Sequence, residues 1–250
     1  IVVGGYMYNK TTSSYDFAIH RYTTAGKLDT TFNGTGKKSI PIVAGRTDFI
    51  NGLAIQDDGR IVAVGQTCDS NVENCNIAMV RLTSTGVLDT SFNTTGKVVT
   101  NLGGNDIGYD IAIQEDGKIV VAGKTGAVDI NFAVLRYTTK GKLDTYFAGT
   151  GKKVIDFNGI GTEDYARAVE IQADGKIVAA GYADGDFALL RLLATGAIDT
   201  TFSTDGKTMI DFGANDRAIG LAIQPADGKY VLVGHYFDDM YHWVVARVLP

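Results

Sequence analysis

Six carboxylates of this 250-residue chain are placed where they could serve as a general acid and base. They are Asp48, Asp106, Glu163, Asp164, Glu170 and Asp216. Four of them recur at one position, eight residues before a glutamine, whereas acid–base catalysis needs two carboxyl groups whose pKa values are driven apart by different environments. No histidine or serine lies in a recognisable nucleophile motif. We therefore assign no catalytic residue and expect a non-enzymatic protein, with a hydrolase or lyase using these carboxylates as the alternative.

Glu170 differs from the other five because it breaks a repeated pattern. It stands where the equivalent segments carry Ala54, Ala112 and Ala222, inside a run that is otherwise apolar. A buried carboxylate needs a partner, so Glu170 is a candidate ligand-binding residue, and a structural pair with Arg167 is the alternative.

Acidic residues also raise the question of a metal site. The segment from Asp69 to Asn74 begins like a calcium loop but lacks glycine at the sixth position and a carboxylate at the twelfth. A looser calcium site needs only clustered hard oxygens from loops. The candidates for it are Asp69, Glu73, Asp184, Asp186, Asp238 and Asp239, of which the last four are preferred. Calcium is thus the one cofactor left open, and a solvated acidic rim is the alternative.

Aromatic side chains are concentrated in segments that differ between the repeats. We expect these segments to be loops on one face of the molecule. The ligand-binding candidates among them are Tyr6, Tyr8, Tyr15, Tyr236, Tyr241, His242 and Trp243. Exposed aromatic rings beside carboxylates suit sugar stacking or contact with a protein, so a glycan or a protein is the predicted partner. The alternative is that the rings only fill the ends of the sheets.

These candidates lie on a scaffold of internal repeats, which three markers define. Gln-x-Asp-Gly-Lys/Arg begins at residues 56, 114 and 172, and a form with one inserted residue begins at 224. Leu/Ile-Asp-Thr-x-Phe marks residues 29–32, 89–92, 144–147 and 199–202, with its aspartates at Asp29, Asp89, Asp144 and Asp199. An arginine ends an apolar run at Arg21, Arg81, Arg136, Arg191 and Arg247. Because Asp follows Arg by eight residues in four repeats, a structural ion pair or turn cap is expected there.

Each repeat resolves into four strand-like runs. In the third repeat they are 109–114, 118–124, 132–138 and 152–157, and the Asp-Gly turn between the first two is a strong hairpin signal. Four antiparallel strands per 55 to 60 residues indicate a blade of a β-propeller. A β-sandwich would not need this shared set of markers. A parallel β-helix has much shorter coils, and the tight Asp-Gly hairpins imply antiparallel neighbours instead.

We therefore predict an all-β propeller of about five four-stranded blades, eighteen strands in all, forming one domain over residues 1–250. The chain begins in a second strand and stops after a third, so the array is expected to be either an open ring or an arc of a larger propeller.

The repeat motifs resemble the delta-60 repeat family over essentially the whole chain. The resemblance rests on Asp186 to Arg191, Gly196 to Phe202, Gly206-Lys207, and the run from Gln172 to Gly181. It implies a propeller-like array in large secreted or surface proteins, mostly bacterial, and it implies no catalytic residues and no assigned ligand.

Composition restricts the partners and the compartment. The net charge of −5 argues against nucleic acid, which needs clustered lysine and arginine, and no apolar run approaches the ~20 residues that span a bilayer. Cys68 and Cys75 lie in a polar segment that a disulfide closes readily, with a pair of free surface thiols as the alternative. A disulfide favours an extracellular or cell-surface location. We predict a recognition, adhesion or scaffold module, with a purely structural spacer as a further alternative.

Overall fold

The Asp-Gly turns join the first and second strand of each repeat. In the computed structural model, which describes residues 1–157, 159, 161, 163–213 and 215–250, Gly59, Gly117 and Gly175 have φ angles of 79°, 77° and 82°. Glycine adopts this left-handed conformation without steric cost. The N–H of Gly59 donates to the carbonyl of Gln56 over 2.8 Å, which closes the turn.

The described residues form eighteen strands and no helix, so the predicted all-β fold is confirmed. Runs rich in valine, isoleucine and aromatic residues suit pleated, half-buried or buried strands. The strands are β1 (Val2–Asn9), β2 (Ser14–Arg21), β3 (Lys37–Ile40), β4 (Thr47–Ile55), β5 (Ile61–Cys68), β6 (Cys75–Leu82), β7 (Lys97–Thr100), β8 (Ile107–Ile113), β9 (Ile119–Thr125), β10 (Asn131–Tyr137), β11 (Lys152–Ile155), β12 (Tyr165–Ile171), β13 (Ile177–Ala183), β14 (Asp186–Leu192), β15 (Lys207–Ile210), β16 (Asn215–Ile223), β17 (Tyr230–Phe237) and β18 (Tyr241–Val248). Among these described residues, none belongs to a helix long and apolar enough to cross a membrane.

The strands are arranged in five sheets of propeller type. Their orders are β1-β2-β3, β4-β5-β6-β7, β8-β9-β10-β11, β12-β13-β14-β15 and β16-β17-β18. Each sheet follows chain order, and the pairings that join neighbouring strands are antiparallel. The predicted count of about five blades is met by three sheets of four strands and two of three.

The chain divides into two compact units. The first contains Ile1–Ile111 and Thr139–Lys142, and the second contains Ala112–Thr138 and Leu143–Pro250. In the first unit, side chains of β2, β4, β5 and β6 form one apolar core around Phe17 and Phe32. The second unit has one core around Phe132 and Phe147 and another around Phe187 and Phe202.

A β-bulge in the first strand of a sheet brings its backbone close to a glycine in the second strand. In the β12–β13 pair the register shifts between Ala166 and Ala168, and a Cβ built on Gly181 would lie 1.7 Å from the Tyr165 carbonyl oxygen. In the β4–β5 pair the register shifts between Ile50 and Gly52, and a Cβ built on Gly65 would lie 1.8 Å from the Phe49 carbonyl oxygen. The repeated glycine is therefore required because no side chain fits there.

Several segments expected to be loops are strands instead, which corrects the sequence prediction. The first hairpin continues to the Asn9–Ser14 pair, and the last continues to the Phe237–Tyr241 pair. Aromatic residues favour cross-strand pairing, so the ladders extend further than the repeat pattern indicated.

The two cysteines form a disulfide at the end of the β5–β6 hairpin. Cys68 and Cys75 are direct cross-strand partners with a Cα–Cα distance of 4.0 Å, so the predicted bond is confirmed.

Candidate functional site

The repeated arginine, aspartate and phenylalanine meet at one point in each of four repeats. In the third repeat, Nε of Arg136 lies 2.9 Å from a carboxylate oxygen of Asp144, and the Arg136 guanidinium sits 4.9 Å from the centre of the Phe147 ring. Cation–π contact and ion pairing both favour arginine at this position. We call this group the Arg-Asp-Phe node. Its other copies are Arg21, Asp29 and Phe32; Arg81, Asp89 and Phe92; and Arg191, Asp199 and Phe202.

The basic residue after the Asp-Gly turn joins the node, so all three sequence markers converge. Arg60 lies 3.0 Å from Asp89, and Lys176 lies 3.2 Å from Asp199. Burial alone raises the pKa of the Asp199 carboxyl, but hydrogen bonds from Thr201 and Lys176 outweigh it and lower that pKa to about 2. The ionised aspartate therefore stabilises the fold at neutral pH, and that contribution is lost as the pH falls from about 4 towards 2.

Each node also reaches the following repeat. Nη1 of Arg136 donates to the carbonyl of Ala194, and a Cβ on Gly196 would lie 2.8 Å from the Phe147 ring. In the first unit, Arg21 donates to the carbonyl of Ser84 in the same way. Arg247, the fifth arginine of the pattern, is exposed on β18. Through these contacts, each of the four complete nodes connects its own repeat to the following one.

The four recurring aspartates considered as catalytic groups are fully buried, and each accepts a backbone N–H from the segment before it. The donor and acceptor pairs are Ile42 with Asp48, Leu102 with Asp106, Phe157 with Asp164, and Phe212 with Asp216. The distances lie between 2.6 and 2.8 Å. Each of these four aspartates therefore has a structural role, because it fixes the segment that connects one sheet to the next. Glu163 is exposed and forms an isolated bridge with Ile130.

Asp48 allows this structural role to be tested by pH. Burial raises its pKa to about 6, and hydrogen bonding to Thr67 and to the Ile42 N–H opposes that rise. A raised folded-state pKa means that the stability contribution is full below the unfolded value near 3.9 and is lost as the pH rises through 6. We expect Asp48→Asn to raise the free energy of unfolding at pH 7 by about 1–3 kcal/mol, because the amide keeps an acceptor without the buried charge.

Urea unfolding at pH 4, 5, 6 and 7 checks this expectation. The wild-type protein should lose stability across this range relative to the variant, whose profile should be flatter. The exposed Asp57→Asn in the same unit is the matched control and should leave the profile unchanged. A variant that is less stable at pH 7 with an unaltered slope would contradict the buried charge as the cause.

Glu170 is half-buried, whereas the sequence led us to expect a buried carboxylate. It lies on β12, which is an edge strand of its sheet. Its proposed partner Arg167 places its guanidinium 5.4 Å from the Tyr165 ring centre.

Tyr6, Tyr8 and Tyr15 lie together in the first unit. The Tyr6 ring is 5.3 Å from Tyr15 and 4.9 Å from Phe49, and Tyr8 is 5.4 Å from Tyr15. The rings are partly exposed, but their edge-to-face contacts with a residue of β4 show that they also cover the end of the β1–β2 hairpin. Packing is therefore observed for these tyrosines, and ligand contact through their exposed parts stays a prediction.

The second group of aromatic candidates lies on the β17–β18 hairpin. Tyr241 and Trp243 are 73% and 78% exposed. They alternate along one strand, so both project from the same side of the sheet. Their cross-strand partners are Phe237 and His235, and the Tyr241 ring lies 5.0 Å and 5.1 Å from these two rings. We call these four residues the hairpin face.

Polar groups border the hairpin face. A cavity of ≈120 Å³ is lined by Asn215, Arg217 and three residues of the hairpin face. Tyr236 and His242 are on the opposite side of the hairpin, with ring centres 4.6 Å apart and nearly parallel. His242 hydrogen-bonds Asp238 over 2.9 Å, so these candidates are engaged with each other.

The proposed acidic candidates separate into two places within the second unit. Asp238 and Asp239 lie in the β17–β18 turn, whereas Asp186 lies beside Asp211 and Asp216, with one oxygen of each carboxylate within 4.8 Å of the others. Burial raises the pKa of Asp186, and the charges of Asp211, Asp216 and Asp184 add to that rise. Sequence reasoning missed Asp211, although aligning the residue after each fourth strand would have revealed it.

A larger groove of ≈530 Å³ lies between two Asp-Gly turns of the second unit, those at Gln114 and Gln172. Its lining consists of turn residues and the ends of the strands before them, which belong to the repeated pattern. The groove therefore follows from the repeat and adds no chemistry specific to one ligand.

A family model described as "Domain of unknown function (DUF5122) beta-propeller" matches residues 1–32, 56–92, 114–147 and 172–202, which is more than half of the chain. These segments contain the three repeat markers. No curated protein matches the chain.

Solved structures are similar to this chain at low sequence identity. A protein of unknown function from Dyadobacter fermentans is 12% identical with a TM-score of 0.51, and the alignment covers 98% of this chain and 78% of that one. An endo-arabinase from Bacteroides thetaiotaomicron is 12% identical with a TM-score of 0.48, covering 99% and 93%. A protein from Lactobacillus plantarum is 13% identical with a TM-score of 0.47, covering 100% and 67%. Identities at this level concern the fold alone.

Proposed function

This chain belongs to the DUF5122 β-propeller family, and from that premise we propose that it is a non-enzymatic recognition module of the delta-60 repeat type that binds glycans through the hairpin face. The observation that carries the proposal is the exposure of Tyr241 and Trp243 on one side of one strand. Every repeat needs its nodes and buried aspartates, so a specific ligand requires residues that the other repeats lack. The hairpin face meets that requirement.

Stacking on sugar rings is the chemistry that this surface suits best. Aromatic faces held on a strand lose little conformational freedom on binding, and they can cover the apolar C–H side of a pyranose ring. The Asn215 amide and the Arg217 guanidinium line the adjoining cavity and can hydrogen-bond hydroxyl groups. A glycan ligand would therefore find both kinds of contact within one patch.

The extracellular location is part of the same proposal. Disulfides such as Cys68–Cys75 persist in oxidising compartments, whereas disulfides are rare in cytosolic proteins. Surface glycans are available to a protein placed there.

A second candidate is contact with a protein surface. Val233 and Val245 are cross-strand partners that are 40% and 66% exposed, and they extend the hairpin face with aliphatic groups. Such a patch is larger and more apolar than a single sugar needs. The hydrolase alternative loses support because four of its six candidate carboxylates are buried caps.

A glycan array with Trp243→Ala and Tyr241→Ala tests the proposal. Wild type is expected to bind a subset of glycans, and each variant to lose about tenfold or more in affinity, as aromatic hot spots do. Tyr146→Ala is the matched control, because Tyr146 is 89% exposed in the same unit but lies outside the hairpin face.

The outcomes separate the candidates. Equal binding by all three variants would remove the hairpin face as the site. A blank array together with capture of a specific protein that Trp243→Ala abolishes would favour the protein-contact candidate. If both array and capture are blank, the recognition function is wrong and the spacer alternative stands.

A further inference from the structure

Three positions meet where one sheet is joined to the next, and their residue types differ between the repeats. The first position is on the third strand, just before the residue that pairs with the last residue of the fourth strand. The second is the residue after the fourth strand, and the third is the buried aspartate at the start of the following first strand. The four sets are Asp16, Pro41 and Asp48; Asn76, Asn101 and Asp106; Asn131, Asp156 and Asp164; and Asp186, Asp211 and Asp216. Only the last set carries three carboxylates, although the same backbone accepts amides or proline elsewhere.

The three carboxylates of the last set are close enough to share one ion. One oxygen from each lies within 4.8 Å of those from the other two. Two oxygens that bind the same calcium ion at about 2.4 Å can be at most about 4.8 Å apart. The spacing is therefore that of ligands around a common centre.

Asp216 supplies an independent observation. Its side chain is fully buried, and its Oδ2 accepts the N–H of Phe212 over 2.6 Å. Its Oδ1 has no hydrogen-bond donor among the described residues. The equivalent oxygen of Asp48 also lacks a donor in the described chain, but its set contains Pro41 in place of Asp211 and therefore one carboxylate fewer. A buried carboxylate oxygen without a donor calls for a positive partner.

Protein side chains do not supply that positive partner. Asp186, Asp211 and Asp216 form no ion pair with a basic residue within the described part of the chain. Burial raises the pKa of Asp186, and the charges of Asp211, Asp216 and Asp184 raise it further. Burial likewise raises the pKa of Asp216. The protein alone therefore leaves this negative charge uncompensated.

We propose that Asp186, Asp211 and Asp216 bind a divalent cation, with Ca²⁺ preferred. Three carboxylates without cysteine or histidine form a hard-oxygen site, which suits Ca²⁺ or Mg²⁺ and not Zn²⁺. Calcium tolerates irregular coordination, and solvent and backbone oxygens can complete its shell beside the exposed Asp211. The ion would fasten the end of β15 to the start of β16.

Thermal unfolding and calorimetric titration with CaCl₂ test the site. At a Kd of about 0.1–1 mM, as in extracellular calcium modules, about 10 mM CaCl₂ should raise the Tm of the wild-type protein by about 3–10 °C relative to NaCl of equal ionic strength. Asp186→Asn and Asp211→Asn should abolish the shift. Both changes copy residues that other repeats carry at these positions, so the variants are expected to fold.

Asp156→Asn is the matched control, because it alters the equivalent residue of the preceding set and should keep the full calcium shift. Without calcium, Asp186→Asn and Asp211→Asn should melt at the wild-type temperature or above it, since each removes repulsion. A wild-type protein that shows neither heat nor a Tm shift with Ca²⁺ overturns the proposal. The proposal is also wrong if the Asp186→Asn and Asp211→Asn variants keep the full Tm shift with Ca²⁺. Tighter binding of Mg²⁺ than of Ca²⁺ would overturn the preference for calcium.

Discussion

Replacing Arg136 by leucine is expected to lower the free energy of unfolding by about 3–5 kcal/mol. The side chains of Arg136 and Asp144 are only 6% and 3% exposed, so leucine would leave a buried carboxylate whose remaining basic neighbour, Lys118, is 3.9 Å away. The change also removes the donor to the Ala194 carbonyl and the charge over Phe147. Urea unfolding followed by circular dichroism measures the loss.

Arg21→Leu is the matched control for this prediction. Arg21 forms the same node, but its side chain and that of Asp29 are 21% and 23% exposed, so water can solvate the remaining carboxylate. The expected loss is about 1–2 kcal/mol, clearly smaller than at Arg136. Equal losses at the two positions would mean that burial does not set the energy of the node.

Gly181→Ala is expected to cost about 3 kcal/mol or more and to reduce the yield of folded protein. The new Cβ would lie 1.7 Å from the carbonyl oxygen of Tyr165 and 2.8 Å from its carbonyl carbon. Both are backbone atoms, so no side-chain rotation relieves the clash, and the β12–β13 ladder would have to open at its bulge. Thermal unfolding of the purified variant measures the effect.

The first hairpin offers a control at the equivalent glycine. A Cβ on Gly5 meets no atom within 4 Å, so Gly5→Ala should leave the Tm unchanged or raise it slightly by restricting the unfolded chain. If Gly181→Ala behaved like Gly5→Ala, close backbone approach could not explain why the glycine recurs in the second strands.

The fold was predictable because the same signals occur several times. One Asp-Gly turn predicts only one hairpin, whereas four similarly spaced copies with matching apolar runs determine the order and direction of the strands. Eighteen strands follow from that register, as does the contrast between sheets of three and four strands. The hairpins at Tyr6–Tyr15 and Tyr236–His242 were misassigned as loops because their sequences depart from the repeat. Strand boundaries inferred from the repeat markers therefore did not extend into them.

The acidic cluster was only partly predictable. Asp186 was identified by its charge and Asp216 by its recurrence, but their proximity depends on how β14, β15 and β16 follow one another. Asp211 follows a fourth strand, and it gains significance only when three strand ends come together in space. Charge in the sequence marks candidates, whereas the distance between carboxylates is a property of the folded chain.

The reach of each node into the next repeat has a consequence for how such chains lengthen. Arg136 and Phe147 belong to one repeat but contact Ala194 and Gly196 of the following one, so part of each repeat's stability resides in its successor. A duplicated segment of one full period would carry both halves of this contact, a donor at one end and an acceptor at the other. Arrays of this family can therefore gain or lose whole periods without new adaptation at the joints, whereas a partial period would leave an arginine and a phenylalanine without their acceptor.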